Sequence, residues 1–482
     1  MYQRKFSSLR KQPARSLWLV FAMAVLLAPA FAHADEIEVD VNRVLKLFDV
    51  PGISVAIVQD GKVLVACGFG VRKLGEAAQV DSQTLFEIAA NSKAFTAVTL
   101  AMLVDEGKLA WDDPVIKHLP DFQMYDPYVT REMTVRDLLS NRSGLGEAVG
   151  DLMWWPSSTF STDEIVHNLR FLAPATSFRS VYTYEYLPYI VAGKLIAVKT
   201  GKPWGAAVRE RIFTPLDMKR TTASLTETAS MANLSSPHAK TDGKLSVIKS
   251  MPMENAAGAM GINTSAEDIA KWMMLLLDGG KLGTADMNGK ERRLYSAAQS
   301  REMWTPQIPI RVSEPKPQLA ATRSNFAASG LGFELRDYHG LMLVTHRGWQ
   351  FGFYSVVAMV PSAKLGIAIM TNAESGPALN ALKYQLLDRY LDMPKKTDWI
   401  ATYNELTAKA QAEEVQEKKD EKSTVKSSPS LALTAYDGEY RDPWYGSATI
   451  KMAGTRHVLS FARTPGLTGE LKHFQNDTFI VR

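Results

Sequence analysis

The feature that most constrains the fold is the placement of strand-like runs near both ends of one long segment. Two apolar runs, 53–58 and 63–66, flank Asp60-Gly61, and this pattern predicts a β-hairpin. Further β-rich runs separated by turn residues recur over 340–372. Because helix-forming segments fill much of the chain between them, the order predicts an α+β domain whose helices pack on one antiparallel sheet.

Apolar residues at helical spacing predict several helices in the intervening part. They cover residues 91–107, 134–139, 189–200 and 265–278. The last of these begins at Ser265, which together with Asp268 resembles a capping box that has aspartate in the acidic position.

The first 34 residues have the pattern of an export signal. A basic region without acids precedes the apolar run 17–31 and the small-residue site Ala32-His33-Ala34. The run is short for a membrane span, so we expect cleavage after Ala34 and a periplasmic or secreted protein, with an uncleaved anchor as the alternative. Residues 1–34 hold five basic residues and no acidic one, so their removal takes the formal net charge from +4 to −1. This charge gives no electrostatic case for binding nucleic acid.

The C-terminal part changes character twice. Residues 401–430 are first charged and helix-prone and then rich in Ser and Pro, which predicts a linker. Alternating apolar residues after it predict a small β module over 431–482. The predicted organisation is therefore a signal peptide (1–34), a main domain (35–400), the linker and the module.

Cys67 is the single cysteine, which excludes an intrachain disulfide. Its strand-like surroundings predict a buried, unreactive thiol. No pair of histidines has metal-ligand spacing, so we expect neither a metal nor a cofactor.

The chemistry of the chain depends on Ala90 and Lys93. Three residues apart on a helix, these positions share a face, so Lys93 could deprotonate a serine at position 90. The segment resembles the Ser-x-x-Lys motif of serine β-lactamases and penicillin-binding proteins, with alanine in place of the nucleophilic serine. Ser92 is not expected to replace it, because its side chain points about 160° away from position 90.

Other segments extend this resemblance over residues 38–395, towards the class C-like branch of β-lactamase-related hydrolases, D-aminopeptidases and esterases. They are residues 50–56, 103–109, 137–145 and 258–268. The resemblance implies an antiparallel sheet flanked by helices, an inserted helical subdomain, and a site between them. The module over 431–482 also resembles one found in this branch, and we expect it to be shorter than in those relatives.

The resemblance also implies roles for residues of the second motif. Tyr184 matches the tyrosine that acts as general base or assists the base, and it is the expected partner of Lys93. Tyr186 stands where the family has asparagine, and its bulk is expected to crowd the pocket. Trp154-Trp155 falls in the segment expected to cover the site, either facing a substrate or simply packing.

The third motif of the family matches His346-Arg347-Gly348. The resemblance implies that His346 presents a polar or cationic group to the substrate and that Gly348 permits close approach of the backbone. The implied oxyanion hole consists of the backbone N–H groups of Ala90 and Trp349, which do not depend on the missing serine.

Two functions remain open from the sequence. In the first, the protein has lost acyl-enzyme chemistry and binds a small molecule or peptide, such as a peptidoglycan-derived compound. In the second, it is an amide or ester hydrolase that uses Lys93, Tyr184 and the oxyanion hole. The sequence indicates neither the substrate nor the oligomeric state, nor whether Ala90 is natural or engineered.

Overall fold

The computed structural model describes residues 35–241, 243–251, 253–283, 291–394, 397–421 and 427–481. The expected export signal lies outside these residues. The helices are α1 (35–48), α2 (Ser92–Asp105), α3 (Pro127–Glu132), α4 (Val135–Leu139), α5 (Thr162–Asn168), α6 (Leu187–Thr200), α7 (Trp204–Val208), α8 (Leu225–Ala229), α9 (Ala257–Met260), α10 (Ala266–Leu277), α11 (Ala297–Met303), α12 (Gly376–Tyr390) and α13 (Trp399–Glu421).

The strands form a large sheet, two short pairs and a C-terminal sheet. They are β1 (Gly52–Gln59), β2 (Lys62–Gly70), β3 (Phe86–Glu87), β4 (His238–Thr241), β5 (Lys244–Val247), β6 (Asn263–Thr264), β7 (Ile308–Pro309), β8 (Ala327–Ser329), β9 (Glu334–Tyr338), β10 (Leu341–Gln350), β11 (Phe353–Val360), β12 (Leu365–Thr371), β13 (Gly438–Asp442), β14 (Gly446–Ala453), β15 (Arg456–Phe461), β16 (Thr468–Gln475) and β17 (Thr478–Val481).

The large sheet joins the two distant groups of strands, as the sequence predicted. Its order is β2-β1-β12-β11-β10-β9-β8-β7, and neighbouring strands are antiparallel. The β1–β2 hairpin turns at Asp60 and Gly61, which have φ angles of 49° and 71°. A two-residue turn of this kind needs positive φ at both positions, and Asp-Gly meets that need.

Helices cover both faces of this sheet. On one face, α1 and α12 bury apolar side chains such as Val41 and Leu382. On the other face, α2 and α10 pack with the helical subdomain, which contains α3 to α7. The predicted α+β architecture, an antiparallel sheet flanked by helices, is confirmed, and β10 runs beside the turn that leads into α2.

Two local expectations were wrong. Ser265 caps α10 by accepting from Asp268 N at 3.4 Å, but the Asp268 carboxylate bonds to Arg220 N and Thr221 N instead of completing a capping box. Cys67 is exposed. It lies on β2, an edge strand of the sheet whose residues are exposed or half-buried.

The C-terminal segment begins as part of the main domain. Trp399 and Ile400, at the start of α13, are buried against α12, and Tyr403, inside the expected linker, packs against the same core. The five strands β13 to β17 form an antiparallel sheet in sequence order, as expected for a small β module. Within the described part of the chain, no helix has both the length and the apolar character needed to cross a bilayer.

Candidate active site

A cavity of about 350 Å³ lies between β10 and the helical subdomain. Its lining is rich in aromatic side chains and includes all three residues of the third motif, His346, Arg347 and Gly348. The aromatic residues are Tyr182, Tyr184, Tyr186, Tyr189, Phe333, Trp349 and Tyr354. Of the residues that the sequence predicted, neither Ala90 nor Lys93 lines the cavity.

Ala90 lies in the short 3-10 turn Ala89–Asn91 that leads into α2, and it is 1% exposed. Ala89 has a φ of 49°, an uncommon conformation for a residue with a side chain, and such strain is typical of functional turns. The turn is tied to the sheet because Ser355 Oγ donates to Ile88 O at 2.8 Å. The geometry of a nucleophile turn is therefore present, but its methyl side chain has no attacking atom.

Gly348 lets this turn approach the third motif. A Cβ at Gly348 would lie 2.0 Å from Ile88 O, which no real side chain tolerates. Asn91, with its amide oriented to suit its neighbours, donates to His346 O at 3.2 Å and accepts from Gly348 N at 3.3 Å. The strand and the turn are therefore in direct contact, as the family resemblance implied.

Ser92 has a structural role. Its side chain is fully buried, and its Oγ accepts a hydrogen bond from Ile262 N at 2.9 Å. A hydroxyl held in this way inside the core is not available to a ligand in the cavity. This geometry agrees with the expectation that Ser92 does not replace the missing nucleophile.

Lys93 is enclosed by aromatic rings. Its Nζ lies 3.8, 4.2 and 4.7 Å from the ring centroids of Tyr184, Tyr186 and Tyr189, and it donates to Glu185 O at 2.6 Å. The side chain is fully buried, and this burial lowers its pKa to about 7. The sequence predicted that Lys93 lines the pocket, but in the structure the three tyrosine rings surround its amine and separate it from the cavity.

His346 and Tyr184 form a neutral pair. His346 Nδ1 is 2.8 Å from Gly332 O, and a carbonyl can only accept, so Nδ1 carries the proton and Nε2 is an acceptor. Tyr184 OH therefore donates to His346 Nε2 across 3.3 Å. Burial lowers the pKa of His346 to about 3, and the charge of Lys93 adds to this effect. This geometry favours a neutral imidazole, and therefore the polar role of His346 over the cationic one.

Tyr184 is not suited to act as a base in this arrangement. Burial raises the pKa of its phenol well above 10.0, and nearby tyrosines add to the effect. A phenol that stays protonated and donates to His346 cannot accept a proton from a nucleophile or a water molecule. Tyr184 therefore occupies the position of the family tyrosine but is not placed to act as the general base.

Tyr186 and Trp154 fill the space next to Lys93. Their ring centroids are 4.6 Å apart, and Tyr186 also packs edge-on against Tyr184 at 5.3 Å. Trp155 meets Trp349 at 5.8 Å. The expected crowding by Tyr186 is therefore seen, and both tryptophans of the covering segment contact residues of the cavity wall.

Two carboxyl groups near Lys93, the buried Glu185 and the half-buried Asp151, were missed by the sequence analysis. Glu185 accepts from Ser143 Oγ at 2.9 Å, while its other oxygen has no hydrogen-bond partner among the described residues. Burial raises its pKa to about 8 and raises the pKa of Asp151 to about 6. The sequence feature that could have identified Glu185 was its position between Tyr184 and Tyr186, whereas no sequence feature pointed to Asp151.

Comparisons with known proteins agree with this geometry. A model of the β-lactamase family matches residues 42–391, and one described as a domain of unknown function (DUF3471) matches residues 422–482. The chain is 30% identical over 449 residues to the unguisins hydrolase ungD' of Aspergillus campestris, an alignment that covers 89% of this chain and 79% of that protein.

Two solved structures show the same fold. The octameric penicillin-binding protein homologue from Pyrococcus abyssi superposes with a TM-score of 0.64 at 20% identity, covering 93% of this chain and 95% of that one. A D-amino acid amidase from Ochrobactrum anthropi SV3, complexed with L-phenylalanine amide, gives 0.55 at 24% identity and covers 73% and 97%.

Proposed function

We propose, since the chain belongs to the β-lactamase family, that it is an exported member that has lost acyl-enzyme chemistry and keeps the cavity as a ligand-binding site. The observation that carries the proposal is the combination of Ala90 at the nucleophile position with Lys93 enclosed by tyrosine rings. The alanine removes the attacking atom, and the rings around Lys93 remove access to the amine that would act as the base. The export part of the proposal is supported by the pattern of residues 1–34.

The remaining groups support binding more than catalysis. At neutral pH the tyrosines and His346 present uncharged rings and hydroxyls to the cavity, because burial keeps Tyr184 protonated and His346 unprotonated. Glu147, Glu334 and Arg347 also contribute to the lining. Aromatic surface with a few polar and charged groups suits a small molecule or a peptide that carries its own charges. We propose peptidoglycan-derived peptides, D-amino-acid compounds or small amides and esters as the ligands.

The alternative function is a hydrolase that activates water directly. It would need Lys93 or Tyr184 as base and the backbone N–H groups of Ala90 and Trp349 as oxyanion donors. The enclosure of Lys93 and the hydrogen bond from Tyr184 to His346 weigh against this alternative. The two functions differ in whether the unmodified chain turns over a substrate.

Turnover of chromogenic substrates tests the proposal. Native protein, Ala90→Ser and Ala90→Ser with Tyr186→Asn are assayed with a p-nitrophenyl ester, a D-phenylalanine anilide and a chromogenic cephalosporin. Ala101→Ser is the matched control, because it adds the same hydroxyl at a buried position further along α2.

We expect no turnover by the native chain or by the control. We expect turnover in the double variant, where a nucleophile is present and the smaller asparagine gives the amine of Lys93 room to reach it. Native turnover that Lys93→Met abolishes would contradict the proposal and establish the alternative function.

A further inference from the structure

We propose that the C-terminal module, strands β13 to β17 with their loops, supports the cavity because it fixes residues 151–160, which pack behind the rings that line the cavity. This segment, which does not itself line the cavity, is called the wall below. This wall carries Trp154 and Trp155, which contact the cavity residues Tyr186 and Trp349. The inference concerns the shape of the cavity, so it stands independently of whether the protein binds a ligand or hydrolyses one.

Arg463 of the module binds the C-terminal end of the wall at Thr159. Its Nε donates to Thr159 Oγ1 at 2.9 Å and its Nη2 donates to Thr159 O at 3.1 Å, while Thr159 N donates to Arg463 O at 2.8 Å. The guanidinium also lies 3.9 Å from the ring centroid of Phe160 and pairs with Glu164 at 2.9 Å. A single side chain thus meets backbone, hydroxyl, ring and carboxylate on the wall and the first turn of α5.

Thr464 reaches the other end of the wall. Its Oγ1 donates to Leu152 O at 3.2 Å and accepts from Tyr445 OH at 2.8 Å. Thr464 is fully buried, and Tyr445 is part of the hydrophobic core of the main domain, with its ring 5.9 Å from that of Phe160. The module therefore shares a continuous core with the wall.

The wall has little regular structure of its own. It consists of the 3-10 turn Asp151–Met153 and a loop that leads to α5. On the main-domain side, Asn255 Nδ2 donates to Met153 O at 3.3 Å and to Phe160 O at 2.9 Å. A loop of this kind gains its local stability from long-range contacts, and Arg463 and Thr464 supply them at both ends.

Contacts of the wall carry this constraint to the cavity. Trp154, 3% exposed, donates from Nε1 to Asp151 Oδ1 at 2.9 Å and packs its ring on Tyr186. Trp155 stacks on Phe351 at 4.9 Å, next to the third motif. If Arg463 and Thr464 release the wall, both rings lose their fixed positions, and the cavity opens on this side.

Hydrogen exchange of the wall amides provides the first test. The variants are Arg463→Ala, Arg463→Lys and Thr464→Val in the full chain, and Arg441→Ala is the matched control, because Arg441 is an exposed arginine of the same module that pairs with Glu439. We expect exchange over residues 152–160 to be at least tenfold faster in Arg463→Ala and partly restored in Arg463→Lys. The two milder variants keep the test informative if Arg463→Ala does not fold.

Access to the cavity provides the second test. A thiol is placed in the lining of the cavity by Ser329→Cys in a Cys67→Ser background, and its rate of reaction with a disulfide reagent is measured. We expect Arg463→Ala and Thr464→Val to raise this rate several-fold and Arg441→Ala to leave it unchanged. Unchanged exchange overturns the proposal at the wall, and faster exchange with an unchanged thiol rate overturns the link between the wall and the cavity.

Discussion

Replacing Lys93 by methionine should stabilise this protein, and the gain should depend on pH. Burial lowers the pKa of Lys93 from 10.5 to about 7. At about 1.4 kcal/mol for each pH unit, protonated Lys93 costs the folded state about 5 kcal/mol. Methionine has a similar length and carries no charge, so Lys93→Met removes this cost.

Two lost interactions reduce the gain. The hydrogen bond to Glu185 O disappears, and leaving a buried carbonyl without its donor costs about 1–3 kcal/mol. The attraction between the ammonium and the tyrosine rings is also lost, at about 1–2 kcal/mol. These two losses total about 2–5 kcal/mol, so a net gain of up to about 3 kcal/mol is expected at pH 6.

The pH dependence follows from the unequal proton binding of the two states. Between pH 7 and 10.5 the unfolded chain keeps a proton on Lys93 that the folded chain has released, so the stability of the native protein rises with pH in this window. The advantage of Lys93→Met should shrink by about 1.4 kcal/mol per pH unit there and become a deficit before pH 10.

The assay is denaturant unfolding followed by circular dichroism at pH 6, 7.5, 9 and 10, compared between native and variant proteins. Lys219→Met is the control, because Lys219 is 78% exposed and its replacement should change the free energy of unfolding by less than about 0.5 kcal/mol. A Lys93→Met variant that is less stable at pH 6, or whose difference from native does not vary with pH, would refute the account of Lys93.

Three further predictions concern other residues of the site. Gly348→Ala should destabilise the fold by about 2 kcal/mol or more, because its Cβ would lie 2.0 Å from Ile88 O. Denaturant unfolding measures this loss. An unchanged unfolding midpoint would contradict the close packing of β10 against the turn before α2. Glu185→Gln should flatten the pH dependence of stability, because the raised pKa of Glu185, about 8, makes the stability of the native protein fall as pH rises from 4.5 to 8. Thermal unfolding across that pH range measures the effect. Equal slopes of stability against pH for the native protein and the variant would contradict the prediction. Ser92→Ala should lower the free energy of unfolding by about 1–3 kcal/mol, because Ile262 N loses its hydrogen-bond acceptor. If Ala90→Ser is labelled covalently, adding Ser92→Ala should not prevent that labelling. A Ser92→Ala variant as stable as native would show that Ser92 Oγ does not hold Ile262 N.

The parts of the fold set by local sequence were accessible to prediction. Asp60-Gly61 meets the backbone requirement of its hairpin turn without help from distant residues. Thr134 caps α4 with the reciprocal bonds of a capping box formed with Asp137 three residues later. The strand–helix–strand order was enough to predict one antiparallel sheet, but the pairing of β1 with β12 is a long-range contact that the order alone did not specify.

The state of the site was not accessible in the same way. That Lys93 points into tyrosine rings depends on where Tyr186 and Tyr189 lie after folding, which residue spacing does not reveal. The neutrality of His346 depends on a carbonyl at Gly332, on a different segment. Cys67 shows the converse error, because an apolar run on an edge strand looks the same in sequence as one on a buried strand.

The central claim is that alanine at position 90 leaves the site without a nucleophile and that no residue of the cavity takes over this role. Intact-mass analysis after incubation with a fluorophosphonate and with a penicillin tests it most directly. The account predicts that the native chain gains no mass, and that Ala90→Ser with Tyr186→Asn gains one adduct located at position 90. A covalent adduct on the native chain at any residue of this cavity would contradict the claim and identify a nucleophile that the site still uses.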